Sequence, residues 1–358
     1  MKIPSNSLAC QTLFLQAADE GRGPVLFGDS FERTREAVLP FVEGVPFPSL
    51  YLEFPLAGDP FLDVTVLYGE MPPGTRFRSE AAAGTEKMLD WYVRARTEKQ
   101  GICCGFELDS KNHYPGSAAV HFQSYGDYEI AGQFCEALGE PEAGKLYQDL
   151  AARMPEGWPL SFFGLFRGRP GSPLRVCGYM GMEEKQHCSE DPGRLETVFR
   201  EIGFSSFDDA MIRQISAALS AAPGTVDFQF DVYPDGRLGN VFAIDIAFEV
   251  TKSEELVLSF DKGSAAAAMK LLESWGAADS RWKLAAGASF TRSLPVEDEN
   301  GELKPFALVL TPNWAKVRWR DGILQKSKLY CLGRAGLVSE LKKNDAPRQA
   351  KDPDQKAE

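Results

Sequence analysis

The stretch KVRWRDGILQKSKLYC, residues 316–331, alternates. Lys316, Arg318 and Arg320 occupy every second position, with Val317 and Trp319 between them. After Asp321-Gly322, Lys326, Lys328 and Tyr330 resume the alternation, against Leu329 and Cys331. Successive residues of a β-strand point to opposite faces, and Asp-Gly is a strong signal for a two-residue hairpin turn. One face of this hairpin is therefore apolar and the other carries cations and a phenol. The chain as a whole is acidic, with a formal charge of -12, so the local gathering of positive charge needs a reason.

Four earlier segments read the same way. SLYLEFPLAGDPFLDVTVLYG (49–69) gives two strands around Gly-Asp-Pro. ICCGFELD (102–109) and SAAVHFQ (117–123) flank a Pro-Gly loop. LSFFGLF (160–166) and PLRVCGYM (173–180) flank Arg-Pro-Gly, and VDFQFDVYPDGRLGNVFAIDIAFEV (226–250) turns at Pro-Asp-Gly. Between the hairpins the apolar period changes to that of helices, near 8–18, 30–42, 81–99, 128–153, 193–202, 207–221 and 264–275. EEKQHC, with His187, reads as a polar loop. ASFTRSL and PFALVLT read as separate strands before the final hairpin.

The unit of helices followed by a hairpin recurs five times, and repetition on this scale governs the fold. Each strand has one bulky apolar parity, such as Phe228, Phe230 and Val232, or Phe242, Ile244 and Ile246. Helices pack on that face. The other parity holds Tyr51 and Glu53, Asp63 and Thr65, Glu107 and Asp109, His121 and Gln123, Arg175 and Tyr179, Asp227 and Asp231, Asp245 and Glu249. It faces either solvent, as one side of an open antiparallel sheet, or the lumen of a closed barrel. The fold class expected is α+β: one antiparallel ten-stranded β-barrel of five ααββ repeats, with the helices outside. The barrel domain spans 1–338, and the Lys-, Asp-, Pro- and Gln-rich segment 339–358 reads as a disordered tail.

Composition narrows the function. A pI near 5.0 argues against binding nucleic acid through overall charge. No apolar run reaches the ~20 residues of a membrane helix, so a cytoplasmic protein without membrane contact is expected. The seven cysteines lack metal-site spacing and read as reduced, packed thiols. G-x-S-x-G and G-x-x-x-x-G-K motifs are absent. Only three histidines are present, and His113 and His187 fall in loop-like segments, so a His-rich metal site is not expected.

Several stretches resemble the ABBA prenyltransferases. GFELDSKNHYPGSAAVHF (105–122) and FDVYPDGRLGNVFAIDIAFE (230–249) are similar to the second and fourth hairpins of cyanobactin-type peptide prenyltransferases. KSKLYC (326–331) looks like the basic-x-Tyr closing strand of the wider family. The resemblance implies a lumen that binds an allylic diphosphate through Lys316, Arg318, Lys328 and Tyr330, with Arg175, Tyr179 and His121 as further contacts. It implies Glu53 as the base on the acceptor side, the acceptor being an aromatic small molecule or a peptide.

The fourth hairpin departs from that pattern. It offers Asp227, Asp231, Asp245 and Glu249 where cations would suit a diphosphate, so Mg²⁺ held by these four is the candidate cofactor. The same carboxylates fit two other readings: a non-catalytic barrel that binds a peptide or small hydrophobic ligand, and a different, carboxylate-based enzyme. The basic face of the last hairpin also fits a merely solvated strand face.

Overall fold

The computed structural model describes residues 2–69, 71–72, 75–77, 84–99, 101–110, 118–166, 169, 171–248, 263–298 and 300–344. Glu249, His113 and residues 345–358 lie outside the described residues.

Helices α1 (Asn6–Ala18), α2 (Arg22–Leu26) and α3 (Phe31–Val42) precede β1 (Ser49–Pro55) and β2 (Asp63–Tyr68). Helix α4 (Glu86–Glu98) precedes β3 (Cys103–Leu108) and β4 (Ala119–Gln123). Helices α5 (Tyr128–Leu138) and α6 (Pro141–Ala151) precede β5 (Leu160–Leu165) and β6 (Leu174–Met180). Helices α7 (Met182–Glu190), α8 (Pro192–Ile202) and α9 (Asp209–Ala221) lead to β7 (Val226–Val232) and β8 (Leu238–Ala247). Helices α10 (Gly263–Ser274) and α11 (Arg281–Gly287) lead to β9 (Phe290–Glu297), β10 (Leu303–Arg320), the short β11 (Ile323–Leu324) and β12 (Lys328–Leu337), before α12 (Val338–Asn344).

Neighbouring strands pair antiparallel in the order β10-β12-β1-β2-β3-β4-β5-β6-β7-β8, and β8 pairs back onto β10. The sheet is thus a closed ten-stranded barrel, which decides between the two placements of the polar face. Asp321 and Gly322 both have positive φ, 51° and 79°, as a type I′ hairpin turn requires. Arg320 and Ile323 face each other across the turn.

The bulky parity packs under the helices as expected. Phe242, Ile244, Val317, Trp319 and Leu329 are all fully buried. Phe122 stacks on Phe134 of α5 at 4.2 Å. Trp319 donates its indole N–H to Gln214 of α9 at 2.8 Å, so the strand that carries the cations is anchored from behind.

Three local expectations change. PFALVLT and the strand after it are one 18-residue strand, β10. Its first half pairs with β9 and its second half with β8, and the register slips between Pro312 and Trp314. Proline has no N–H to give a ladder, and Pro312 falls where the strand changes lateral neighbours. EEKQHC is part of α7, not a loop. Its polar residues are used internally: Glu184 accepts from Trp158 at 2.8 Å and Arg194 at 2.9 Å, and Lys185 donates to the carbonyls of Ala222 and Gly224 beyond the end of α9. Helix α12 occupies the stretch where the polar tail was expected to begin.

Candidate active site in the barrel lumen

The register fixes which side chains share the lumen. Lys328, Asp63, Arg175, Asp231 and Arg318 sit near the hairpin-turn ends of their strands. Glu53, Tyr330, Thr65, Glu107, His121, Gln229, Asp245 and Lys316 lie one step further in. Tyr51, Trp314, Tyr179 and Asp227 lie toward the far end. The guanidiniums and Lys328 therefore gather toward the turn end, while Tyr51 and Trp314 lie toward the far end together with Asp227.

Most lumen cations already have carboxylate partners. Lys328 Nζ donates to Asp63 at 2.7 Å and stands 3.6 Å from Glu53. Burial alone would lower the Lys328 pKa, but Asp63 and Glu53 more than reverse that. Arg175 grips Asp231 through two contacts, at 2.9 and 3.3 Å. Arg169, from the loop after β5, reaches Glu107 at 3.2 Å. Lys316 Nζ is 3.3 Å from Gln229 and 3.8 Å from Asp245.

Arg318 differs. No carboxylate pairs with it among the described residues. Burial, then the nearby Arg175 and Arg320, push its pKa down. A desolvated cation beside other cations is the arrangement an anion would relieve.

Glu53 is 2% exposed and accepts a 2.6 Å hydrogen bond from Thr65. Its carboxyl pKa is raised by burial, against the opposing pull of Lys328. Tyr330 lies opposite it on β12 and shares a hydrogen bond with it, and burial raises the phenol well above its usual value. Tyr330 stacks on Trp314 at 5.0 Å, and Trp314 packs against Tyr51 at 4.7 Å. These three rings make one aromatic wall beside Glu53.

His121 Nε2 is 3.2 Å from Glu107. Gly164 faces the imidazole from β5, where a Cβ would stand 2.6 Å from the ring, so glycine makes the room. Burial would raise the Glu107 pKa, but the hydrogen bond and charge of His121, with Arg169 and Arg175, hold it well below the usual range.

The expected diphosphate contacts are thus only partly brought together. Arg318 and Arg175 are neighbours, with Lys328 also at the turn end. Tyr179 is not with them: it lies near the end of β6 at the opposite mouth, 38% exposed and facing Asp227. The expected metal set is also divided. Asp227 and Asp245 face each other, whereas Asp231 belongs to Arg175. Among the described residues no group of three or more His, Cys, Asp or Glu side chains is arranged to hold a metal ion. Trp314 and Arg169 were not expected at the site; Glu107 was expected on the lumen face but with no role assigned to it. Trp314 keeps the alternation of Lys316 and Arg318 and was legible two residues upstream, whereas Arg169 comes from a loop and leaves no periodic signal.

A shallow recess of about 280 Å³, lined by Ser293, Leu294, Pro295, Leu303, Lys304 and Pro305, lies on β9 and the outer half of β10, away from this chemistry. No helix among the described residues is long and apolar enough to cross a membrane.

No family model and no curated protein sequence matches the chain. Solved structures do. The 5-dimethylallyltryptophan synthase from Streptomyces coelicolor aligns over 92% of this chain and 97% of its own, at 12% identity and a TM-score of 0.50. The chain has the PT-barrel fold. AnaPT from Neosartorya fischeri aligns over 93% of this chain and 92% of its own, at 10% identity and a TM-score of 0.46. PriB, in a binary complex with product diphosphate, aligns over 92% and 96%, at 13% identity and 0.46. The PT barrel agrees with the expected ABBA architecture, while a specific likeness to the cyanobactin-type enzymes does not emerge.

Proposed function

We propose that the protein transfers an allylic isoprenoid from its diphosphate to an aromatic acceptor inside the barrel. The observation that carries this reading is Arg318. It is a largely desolvated cation with no carboxylate partner among the described residues, at the cationic end of a lumen that carries an aromatic wall further in. The diphosphate sits against Arg318, with Arg175 alongside. As the allylic C–O bond breaks, the leaving oxygens gain charge that these guanidiniums stabilise.

The faces of Tyr330, Trp314 and Tyr51 stabilise the allyl cation and exclude water. An aromatic carbon of the acceptor attacks, forming the C–C bond, and Glu53 takes the proton lost from that carbon. Burial makes Glu53 more basic than an exposed carboxylate, which suits it to that task once ionised. Lys328 and Lys316 act mainly on Glu53 and Asp245, and His121 orients Glu107. The described carboxylates, Asp227, Asp231 and Asp245, are not arranged to hold Mg²⁺ together, and no step runs through it.

An aromatic small molecule is favoured over a peptide, because the closed barrel offers no free strand edge in its lumen to pair with a peptide backbone. The expected cytoplasmic setting agrees with seven free, buried cysteines. A second reading, a silent barrel that binds a hydrophobic ligand, draws support from the carboxylates already neutralising Lys316, Lys328 and Arg175.

One experiment separates the two. The protein is incubated with dimethylallyl or geranyl diphosphate and an indole or phenol acceptor, with and without Mg²⁺, and products are read by mass. A prenylated product without added metal is expected. Diphosphate binding without turnover across an acceptor panel supports the silent barrel, and absence of diphosphate binding overturns the proposal.

A further inference from the structure

Asp227 and Asp245 lie directly opposite each other on β7 and β8, both on the lumen face. Like charges in that position repel. Asp245 is 7% exposed, and its Oδ1 has no hydrogen-bond partner among the described residues. Lys316 Nζ stands 3.8 Å from that oxygen, beyond hydrogen-bond reach. It is closer to Gln229, at 3.3 Å, and lies 4.6 Å from the centre of the Tyr330 ring. No hydrogen bond or ion pair holds Asp227 among the described residues. One lysine is thus shared between two carboxylates in a buried place.

A second orphan lies beside them. The indole N–H of Trp314 is buried without a partner among the described residues. Trp314 pairs with Ala247 and Lys316 with Asp245, so Trp314 and Asp245 are diagonal neighbours on one face, roughly 7–8 Å apart at Cα. Unpaired buried polar atoms are rare in folded proteins and call for a partner. Here an acceptor oxygen, which an ammonium would satisfy, and a donor N–H, which needs an acceptor elsewhere on a ligand, go unused at the edge of a three-ring aromatic wall. Carboxylates next to aromatic faces are the chemistry that recognises an organic cation.

We infer that the far end of the lumen is a binding site for an organic ammonium group, held between Asp227 and Asp245 with its carbon skeleton against Trp314 and Tyr51. This goes beyond prenyl transfer and does not require it, since either a transferase or a silent barrel could hold such a ligand. If prenyl transfer occurs, the acceptor is the molecule that carries the ammonium.

The site has a built-in pH response. Asp227 is faced by Asp245 from β8, Tyr179 from β6 and Lys316 from β10, with Gln229 and Asp231 on its own strand. Asp245 is faced by Asp227 and Lys316, with Glu53 of β1 and Arg175 of β6 further off. Burial first, then mutual repulsion, pushes Asp227 up to about 7, and burial pushes Asp245 up to about 6. An ammonium ion competes with protons for these oxygens, so it binds more tightly as pH rises from 5.5 to 8.

The test is calorimetric titration of the intact protein with tryptamine and with tryptophol, which differ by ammonium against hydroxyl, with no prenyl donor present. At pH 8 tryptamine should bind at least about tenfold more tightly, as one charge-assisted contact allows. The preference should shrink at pH 5.5, and it should fall to about twofold or less in Asp227→Asn and Asp245→Asn. Equal binding of the two probes, no binding of tryptamine, or an unchanged preference in both variants would overturn the inference. If a variant does not fold, the wild-type comparison at the two pH values decides alone. Dimethylallyl diphosphate titrated separately reports on the Arg318 end, so failure here is distinguishable from failure of the transfer reading.

Discussion

Asp245→Asn should make the protein more stable, and the gain should depend on pH. The amide keeps the carboxylate's shape and removes one of two opposed charges. Asp245 is raised from 3.8 to about 6 in the folded chain. At about 1.36 kcal/mol per pKa unit, its ionisation costs the fold on the order of 3 kcal/mol above pH 7. Local relaxation brings the figure nearer 1–3 kcal/mol.

The folded state keeps a proton that the unfolded chain releases between about pH 4 and 6. Wild-type stability therefore falls as pH rises through that window. Asparagine has no proton to lose, and it leaves Lys316 to Asp227. The stability advantage of the variant should grow by about 1–2.5 kcal/mol between pH 4 and pH 8. At roughly 2 °C per kcal/mol for a large domain, the gap in Tm should widen by about 2–5 °C. Scanning calorimetry of both proteins at four pH values reads this directly. A gap constant with pH, or a variant less stable at pH 8, would refute the reasoning: the attraction between Lys316 and Asp245 would then outweigh their burial.

Arg318→Ala should weaken dimethylallyl diphosphate binding by roughly ten- to a hundredfold with Tm unchanged or raised, because the guanidinium has no carboxylate partner among the described residues to lose; calorimetric titration and thermal melting check both halves. Lys328→Ala should behave differently. It strands Asp63 and Glu53 in the lumen and should cost about 3–5 kcal/mol of stability by urea unfolding, and a variant as stable as wild type would show that Lys328 is free to bind substrate. Trp319→Ala should cost on the order of 3–5 kcal/mol through lost packing and the lost hydrogen bond to Gln214, leaving diphosphate affinity of the folded fraction intact.

The barrel was legible because its strands repeat one rule. Each strand concentrates its bulky apolar residues on one parity, and the alternation of 316–331 states that rule most clearly. Closure was not legible, since an open sheet satisfies the same alternation, and only the pairing of β10 with β8 decides it. Helix α7 was hidden because it packs through Glu184 and Lys185, polar residues whose hydrogen bonds no apolar period reveals. At the site, parity identified the lumen residues but not their partners. Lys328 and Arg318 look equivalent in the sequence, yet one is tied to Asp63 and Glu53 and the other pairs with no carboxylate among the described residues. Tyr179 was grouped with Arg175 because they share a strand face. Four residues of strand, at about 3.4 Å each, put them at different ends of the lumen.

The pairing of β1 with β12 joins Leu50 to Gly333, the first strand of the barrel to the last. On a ribosome β1 would have one neighbour, β2, until β12 emerged nearly 300 residues later. All that time its outer edge would present unpaired backbone N–H and C=O groups, a template for the wrong strand. The strand that seals this edge is also the one that carries Lys328 and Tyr330. Until it docks, Glu53 and Asp63 stand without their lysine, so completion of the barrel and neutralisation of its buried carboxylates are a single late event in folding. Contacts of such sequence separation slow folding, and a nascent chain of this design would depend on being shielded until its last strand arrives.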